Sequence, residues 1–328
     1  MTGKRERLEA AIAGEIADRP PVALWRHFPV DDQDPELLAD ATVAFQREYD
    51  FDFVKVTPSS SFCLKDWGSM DRWEGSDQGT RTYTHRVVEK PEDWAELAPL
   101  PSDEGYLGDQ LDCLRRIVDQ LGPEVPVIQT IFSPLAQAKN LAGQDRLMEH
   151  LHVDPEAVAR GLRVIEDSTV NFVEALSATG VAGTFYAIQH ASYRLFDRET
   201  YAEYAEPGDL RILEAASDMW LNVLHLHGEA IHFELAERYP AQIVNWHAQT
   251  VDPSLVSAAA SVPGAVCGGL RREATLVLGD PKHVQAEARR ALDKLEGRGL
   301  VLGAGCVVPI KAPRANLKAA RASVENFA

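Results

Sequence analysis

Two short segments contain residues that could together hold a metal ion. In Leu224–Gly228, His225 and His227 stand two positions apart where an apolar run ends. On an extended backbone, side chains at i and i+2 point to the same face, so both imidazoles share one face. Cys306 ends a second apolar run near the C-terminus. Two imidazoles and one thiolate suit a zinc ion that keeps one coordination position open, as catalytic zinc does.

The same three residues also have a purely structural interpretation. A pair of histidines can hydrogen-bond to backbone carbonyls, and a cysteine often serves as a small buried apolar side chain. Triplets that are distant in sequence arise easily by chance, so spacing alone leaves both interpretations open. The elements that carry the residues therefore matter.

An alternation of short apolar strands with amphipathic helices predicts the fold. Helical patterns occupy Pro155–Ala178 and Lys282–Leu295, the second after the helix-start pair Asp280-Pro281. Eight strands alternating with helices favour an α/β fold of the (β/α)8 TIM barrel type over an open doubly wound sheet. No GxGxxG follows a strand, which argues against dinucleotide binding. The predicted strands are Val22–Arg26, Phe53–Thr57, Val125–Phe132, Gly183–Gln189, Asn222–His227, Ile243–His247, Ala265–Gly269 and Leu300–Gly305.

One stretch, from about Ser59 to Gly122, does not fit a compact strand–helix connection. It is rich in Asp, Gly, Trp and Ser. We expect a long insertion after strand two, within a single barrel domain that spans residues 1–328. Long loops on barrels are commonly functional lids, but the alternation in Arg81–Val88 is also typical of a peripheral hairpin. The sequence leaves both roles open.

A barrel would bring the candidate metal ligands together. TIM-barrel active sites lie at the C-terminal ends of the strands, where His225, His227 and Cys306 are expected. Strands five and eight lie across the mouth from each other, and an eight-stranded barrel is narrow enough for their side chains to meet. The predicted fold and the residue types therefore both favour a metal site.

Other polar residues at predicted strand ends are candidate catalytic groups. Arg26 could bind a substrate carboxylate through its guanidinium fork, or form a salt bridge that holds the N-terminal segment. His247 could be a further ligand or general base, or a satisfied core residue. Gln189 could orient the substrate by hydrogen bonding. Lys55 ends a buried strand, where an unpaired ammonium is costly, so a partner or a function is expected. Arg271 and Arg272, which follow strand seven, could bind an anionic group such as a phosphate or sulfonate, but a solvated turn is the favoured interpretation.

Composition excludes several classes of function. The chain has 328 residues, 45% hydrophobic and 25% charged, as in soluble globular proteins. A net charge of −17 argues against a nucleic-acid partner.

No run approaches the roughly 18 apolar residues of a membrane helix, and Met1–Arg7 leads into no signal-peptide core. We expect a cytoplasmic protein with no membrane partner. Its four scattered cysteines do not indicate disulfides.

Three segments resemble the uroporphyrinogen decarboxylase superfamily. Arg19–Arg26, which reads Arg-Pro-Pro-Val-Ala-Leu-Trp-Arg, resembles its opening, and Phe51–Val56 resembles its second strand. Gly299–Ala319 resembles its last strand and closing helix. The segments occur in the right order and span nearly the whole chain. The resemblance implies a TIM barrel and one of two chemistries.

The first chemistry is decarboxylation of uroporphyrinogen without metal or cofactor. In the family it depends on two arginines after strand one, an acidic residue after strand two, and a late histidine, among others. This chain keeps Arg26, but has His27–Val30 where the second arginine is expected, Ser59 near the acidic position and Cys306 at the late histidine. We therefore expect that uroporphyrinogen is not its substrate. A lyase acting on a different carboxylated substrate remains the alternative.

The second chemistry is zinc-dependent methyl transfer from a methyl-corrinoid protein to a thiol such as coenzyme M. Those enzymes carry His-x-Cys after strand five and Gly-Cys-x-x-x-Pro after strand eight. This chain has His-Leu-His at His225–His227 and Gly-Cys-Val-Val-Pro at Gly305–Pro309. The middle ligand is thus histidine, an ordinary zinc ligand. With histidine in place of cysteine, the zinc is formally cationic and more electrophilic. A substrate oxygen can then compete with a thiol for binding to the zinc and for the methyl group.

The resemblance thus implies a methyltransferase with one zinc ion per chain. Its partners would be a small anionic substrate, such as a thiol, and a corrinoid protein. No corrinoid-binding Asp-x-His-x-x-Gly motif occurs, so the corrinoid would arrive as a substrate on a separate protein.

Overall fold

The computed structural model describes residues 2–325 and residue 327. Its strands are β1 (Val54–Val56), β2 (Met70–Arg72), β3 (Thr82–His85), β4 (Val127–Phe132), β5 (Gly183–Ile188), β6 (Val223–Leu226), β7 (Ile243–Trp246), β8 (Ala265–Leu270) and β9 (Leu300–Ala304). Its α-helices are α1 (Lys4–Ile12), α2 (Pro35–Tyr49), α3 (Gly105–Leu121), α4 (Pro134–Ala142), α5 (Gln144–Val153), α6 (Pro155–Leu176), α7 (Arg198–Tyr204), α8 (Glu206–Ala215), α9 (Leu255–Ala259), α10 (Pro281–Lys294) and α11 (Arg314–Ala322).

Seven parallel strands form one curled sheet in the order β1-β4-β5-β6-β7-β8-β9. Every residue of these strands is buried. Both faces are covered, as is usual for parallel sheets, which is why the strands read as continuous apolar runs. Seven of the predicted strands are confirmed to within two residues. Helices α6 and α10 confirm the two predicted helices.

The predicted strand Val22–Arg26 is wrong as a strand. Val22 makes one isolated parallel bridge, to Leu302 of β9. Its carbonyl accepts a hydrogen bond from the backbone N–H of Asp52, two residues before β1, at 2.9 Å. The segment therefore contacts the chain at both edges of the seven-stranded sheet. The pairing with β9 is limited to the hydrogen bonds that Pro21 and Ala23 make with Leu302, and Pro20 and Pro21 have no N–H with which to extend it toward the N-terminus.

A buried carboxylate fixes this segment. The Asp52 side chain is 0% exposed. It accepts hydrogen bonds from Arg7 Nη1 at 2.7 Å, from Arg19 Nη1 at 2.8 Å and from the backbone N–H of Val22 at 2.7 Å. A buried charge is tolerated only when it is paired and hydrogen-bonded in this way. Asp52 thus binds the first and last residues of the Arg-Pro-Pro-Val sequence, Arg19 and Val22, and thereby positions the residues that follow Val22.

The stretch 59–122 contains the antiparallel hairpin β2–β3 and helix α3. Arg81 anchors the hairpin: its side chain contacts Asp71 at 2.5 Å and Asp32 at 3.1 Å, and all three side chains are buried. Helix α3 packs on α2 and leads into β4, so it connects β1 to its parallel neighbour. That the stretch is an insertion or a lid, and that residues 1–328 form one domain, stay predictions.

None of the helices in the described part of the chain is both long and apolar enough to cross a membrane. All four cysteines are free, as the sequence predicted.

Candidate metal centre and its cavity

His225, His227 and Cys306 come together at the C-terminal end of the sheet. Their donor atoms all lie within 4.8 Å of one another. Nδ1 of His227 is 3.4 Å from Nε2 of His225 and 3.7 Å from Sγ of Cys306. In a flat sheet β6 and β9, three positions apart, would be separated by about 14 Å, at about 4.8 Å per strand. The curl of the sheet therefore brings the ligands into contact.

Glycines allow β9 to approach its neighbours closely enough for this contact. A Cβ on Gly303 would lie 2.7 Å from Sγ of Cys267, and a Cβ on Gly305 would lie 2.7 Å from Cα of His247. Larger residues would push the end of β9 outward. The Gly-Ala-Gly-Cys sequence thus places the thiol of Cys306 beside the two histidines.

Asn245 of β7 determines which ring nitrogen of His225 faces the other ligands. Its Nδ2 donates to the carbonyls of Cys267 at 2.9 Å and Ala304 at 3.0 Å, so its Oδ1 must be an acceptor. That oxygen lies 2.7 Å from Nδ1 of His225, which therefore carries the proton. The lone pair is left on Nε2, which faces His227. This is how polar neighbours commonly orient metal-ligating histidines.

The protonation states at the centre suit metal binding. Burial raises the pKa of Cys306, but a protonated His225 and hydrogen bonds from the neighbouring histidines hold it well below its usual range. Burial lowers the pKa of His225, so the thiol and the imidazole compete for one proton. A metal ion bound between them takes the place of that proton, and the ligands are then thiolate and neutral imidazole. The donor set, its spacing and its protonation states therefore fit a zinc ion.

A cavity of about 320 Å³ opens beside these residues. Trp25, Phe132 and Phe185 give it an aromatic wall, and Lys55 and Arg272 are among its polar residues. The loop between β2 and β3 also lines it. Of the two arginines that follow β8, Arg272 therefore faces the cavity, whereas Arg271 is exposed, as expected for a solvated turn. Apolar walls with a few convergent polar groups are typical of small-molecule sites.

The structure brings only some of the predicted catalytic residues to this cavity. Gln189 lines it. The ring of His247 lies 5.4 Å from that of His227, but it lines a neighbouring cavity of about 230 Å³. Arg26 is not among the residues that line either cavity. Its guanidinium lies 5.0 Å from the ring of Phe28 and donates to the carbonyl of Ile310 at 3.2 Å. The catalytic roles of these three residues stay predictions.

Asn245 was missed by the sequence analysis, although a signal was present. An amide between apolar residues of a buried strand, two positions before His247, must share the inward face with that histidine. What it bonds to depends on neighbouring strands and could not be read from the sequence.

We expect Asn245→Ala to weaken zinc binding about 10- to 100-fold, because His225 loses the acceptor that fixes its tautomer. Competition with a chromophoric chelator measures this affinity. Asn222→Ala is the matched control, since Asn222 is also buried and accepts from Thr184, away from the three ligands. Equal zinc affinity in a folded Asn245→Ala protein would contradict the assigned role.

The chain belongs to the uroporphyrinogen decarboxylase family, whose sequence model matches residues 3–327. This family is TIM-barrel-like, in agreement with the curled parallel sheet. The protein is therefore an enzyme.

Methylcobamide:CoM methyltransferase MtbA of Methanosarcina acetivorans is 25% identical, over 98% of each chain. Methylcobamide:CoM methyltransferase MtaA of Methanosarcina barkeri is 22% identical, again over 98% of each. A solved methyltransferase from Methanosarcina mazei superposes with a TM-score of 0.85, at 19% identity, over 98% of both chains.

Proposed function

We propose that this protein is a zinc-dependent methyltransferase that moves a methyl group from a corrinoid protein to a small thiol. The observation that carries the proposal is the convergence of His225, His227 and Cys306, with donor atoms within 4.8 Å, beside an aromatic-walled cavity. The names of the relatives supply the chemical classes of donor and acceptor, a methylated cobamide and the thiol CoM.

The residues of the candidate site have two roles, metal binding and substrate positioning. His225, His227 and Cys306 would hold the zinc ion through three donors, fewer than the four that zinc usually takes. Zinc would supply the Lewis acidity that keeps a thiol deprotonated near neutral pH. Gln189 orients the acceptor, and the aromatic wall excludes water from it. The thiol sulfur forms a bond to the methyl carbon as the carbon–cobalt bond breaks. The electron pair of the carbon–cobalt bond stays on cobalt, and the thiol proton goes to solvent.

We further propose that the segment around Val22 takes the eighth position of a closed barrel, with the loop between β2 and β3 over its mouth. Three contacts support this role of the loop. The carbonyl of Asp77 accepts from the N–H of Ile310 at 2.8 Å, and Gln78 donates to Glu273 at 2.6 Å and accepts from Arg272. The loop thus contacts the segments that follow β8 and β9.

The chain purified without chelators should contain about one zinc ion and methylate coenzyme M from free methylcobalamin. The spectrum of demethylated cobalamin and the mass of the methylated thiol measure the reaction. Conversion of uroporphyrinogen to coproporphyrinogen at an enzymatic rate by metal-free protein, without methyl transfer, would instead support the lyase alternative.

A further inference from the structure

Lys55 is a buried cation whose hydrogen-bonding capacity is mostly unused. It lies in β1, is 7% exposed and lines the cavity beside the metal centre. An ammonium has three donors, and the described residues offer it one acceptor, Oγ1 of Thr57 at 3.3 Å. Burial lowers the pKa of Lys55 to about 7, and among the described residues the charge of Cys306 opposes that shift. Such a group is costly unless it meets a partner.

The surroundings of Lys55 are aromatic. Its ammonium lies 4.6 Å from the ring centroid of Phe185 and 6.0 Å from that of Trp25. Phe185 in turn stacks on His225 at 5.1 Å. One aromatic side chain thus contacts both the ammonium and a candidate metal ligand. A molecule lying along this wall can reach both at once.

The other cation of the cavity is already engaged. Arg272 donates from Nε to the carbonyl of Val307 at 2.5 Å and from Nη2 to Gln78. Of the two cations that line the cavity, Arg272 is thus held by two hydrogen bonds and Lys55 by a single long one, so Lys55 is the cation more available to a substrate anion. Arg26, the candidate from the sequence, does not line the cavity.

We propose that Lys55 is the anion-binding residue of this enzyme and determines its substrate specificity. It pairs with the carboxylate or sulfonate of a substrate whose flat, apolar body packs on Phe185 and Trp25 and whose opposite end reaches the metal centre. The identity of that opposite end, a thiol, rests on the proposed function; the pairing with Lys55 does not.

Two probes that differ in charge but hardly in shape test the pairing. We expect 4-mercaptobenzoate to bind the zinc-loaded protein about 10- to 100-fold more tightly than 4-mercaptobenzamide, as charged hydrogen bonds imply. Lys55→Met, which keeps most of the length of the side chain and removes its charge, should abolish this preference, as should Lys55→Gln. Calorimetric titration measures the dissociation constants, and circular dichroism verifies folding. Lys139→Met is the matched control, because burial lowers its pKa to about 8 but it does not line the cavity.

A second pair of probes separates this inference from the proposed function. Benzoate and benzamide have no thiol, and with metal-free protein benzoate should still bind more tightly in the wild type but not in Lys55→Met. If the protein holds no zinc yet shows this pattern, the methyltransferase proposal fails and the role of Lys55 stands. The role of Lys55 is overturned if Lys55→Met still binds the carboxylate probe more tightly than the amide. This holds whether that preference is then lost on removal of the metal or in Arg26→Met.

Discussion

Replacing Cys306 with alanine is expected to lower zinc affinity by more than about 100-fold, beyond the usual effect of removing a residue that only orients a ligand. The thiolate is the only anionic donor among the three, so its loss removes both a bond and the charge that stabilises the cation. Methyl transfer to a thiol should fall with it. Zinc content after dialysis, and the affinity by chelator competition, measure the effect.

Cys113→Ala is the matched control for this substitution. Cys113 is a buried, free cysteine of α3, and burial raises the pKa of its thiol, so it is a packing residue. Its replacement should cost stability and leave zinc binding intact. Stoichiometric zinc at unchanged affinity in Cys306→Ala would show that the ligand assignment is wrong.

Replacing Asp52 with asparagine is expected to lower the free energy of unfolding by about 3–5 kcal/mol, because the buried guanidinium groups of Arg7 and Arg19 lose their shared carboxylate. The segment that follows Val22 also loses the charged acceptor of the Val22 N–H. Trp25, which lines the cavity, is then held less firmly in place. Urea denaturation followed by tryptophan fluorescence measures the change.

Asp18→Asn tests whether burial is the cause. Asp18 also contacts Arg7, at 2.7 Å, but its side chain is 44% exposed, so about 1 kcal/mol or less is expected. Similar losses in the two variants, or a loss below about 1 kcal/mol for Asp52→Asn, would contradict the role of Asp52.

The strands of the sheet could be predicted because residues buried on both faces leave continuous apolar runs in the sequence. Val22–Arg26 gives the same pattern for a different reason. It is buried against β9 and the chain before β1, but it makes an isolated bridge to Leu302, and the N–H of Val22 donates to the carboxylate of Asp52. Sequence patterns report burial, and they do not tell which groups satisfy the backbone.

The proximity of the three candidate ligands could also be predicted, because strand ends meet at one edge of a barrel. The role of Asn245 could not, since it follows from carbonyls on β8 and β9 that fix the amide orientation. Nor could the placement of Arg26. A long side chain that leaves a strand end can turn either to the cavity or, as here, onto the ring of Phe28.

X-ray absorption at the zinc edge of the purified protein tests the central claim most directly. The account predicts about one zinc ion per chain, with one sulfur at about 2.3 Å and two imidazole nitrogens at about 2.0–2.1 Å, and loss of the sulfur in Cys306→Ala. A protein without bound zinc, or a zinc shell of oxygen and nitrogen alone that Cys306→Ala leaves unchanged, would contradict it.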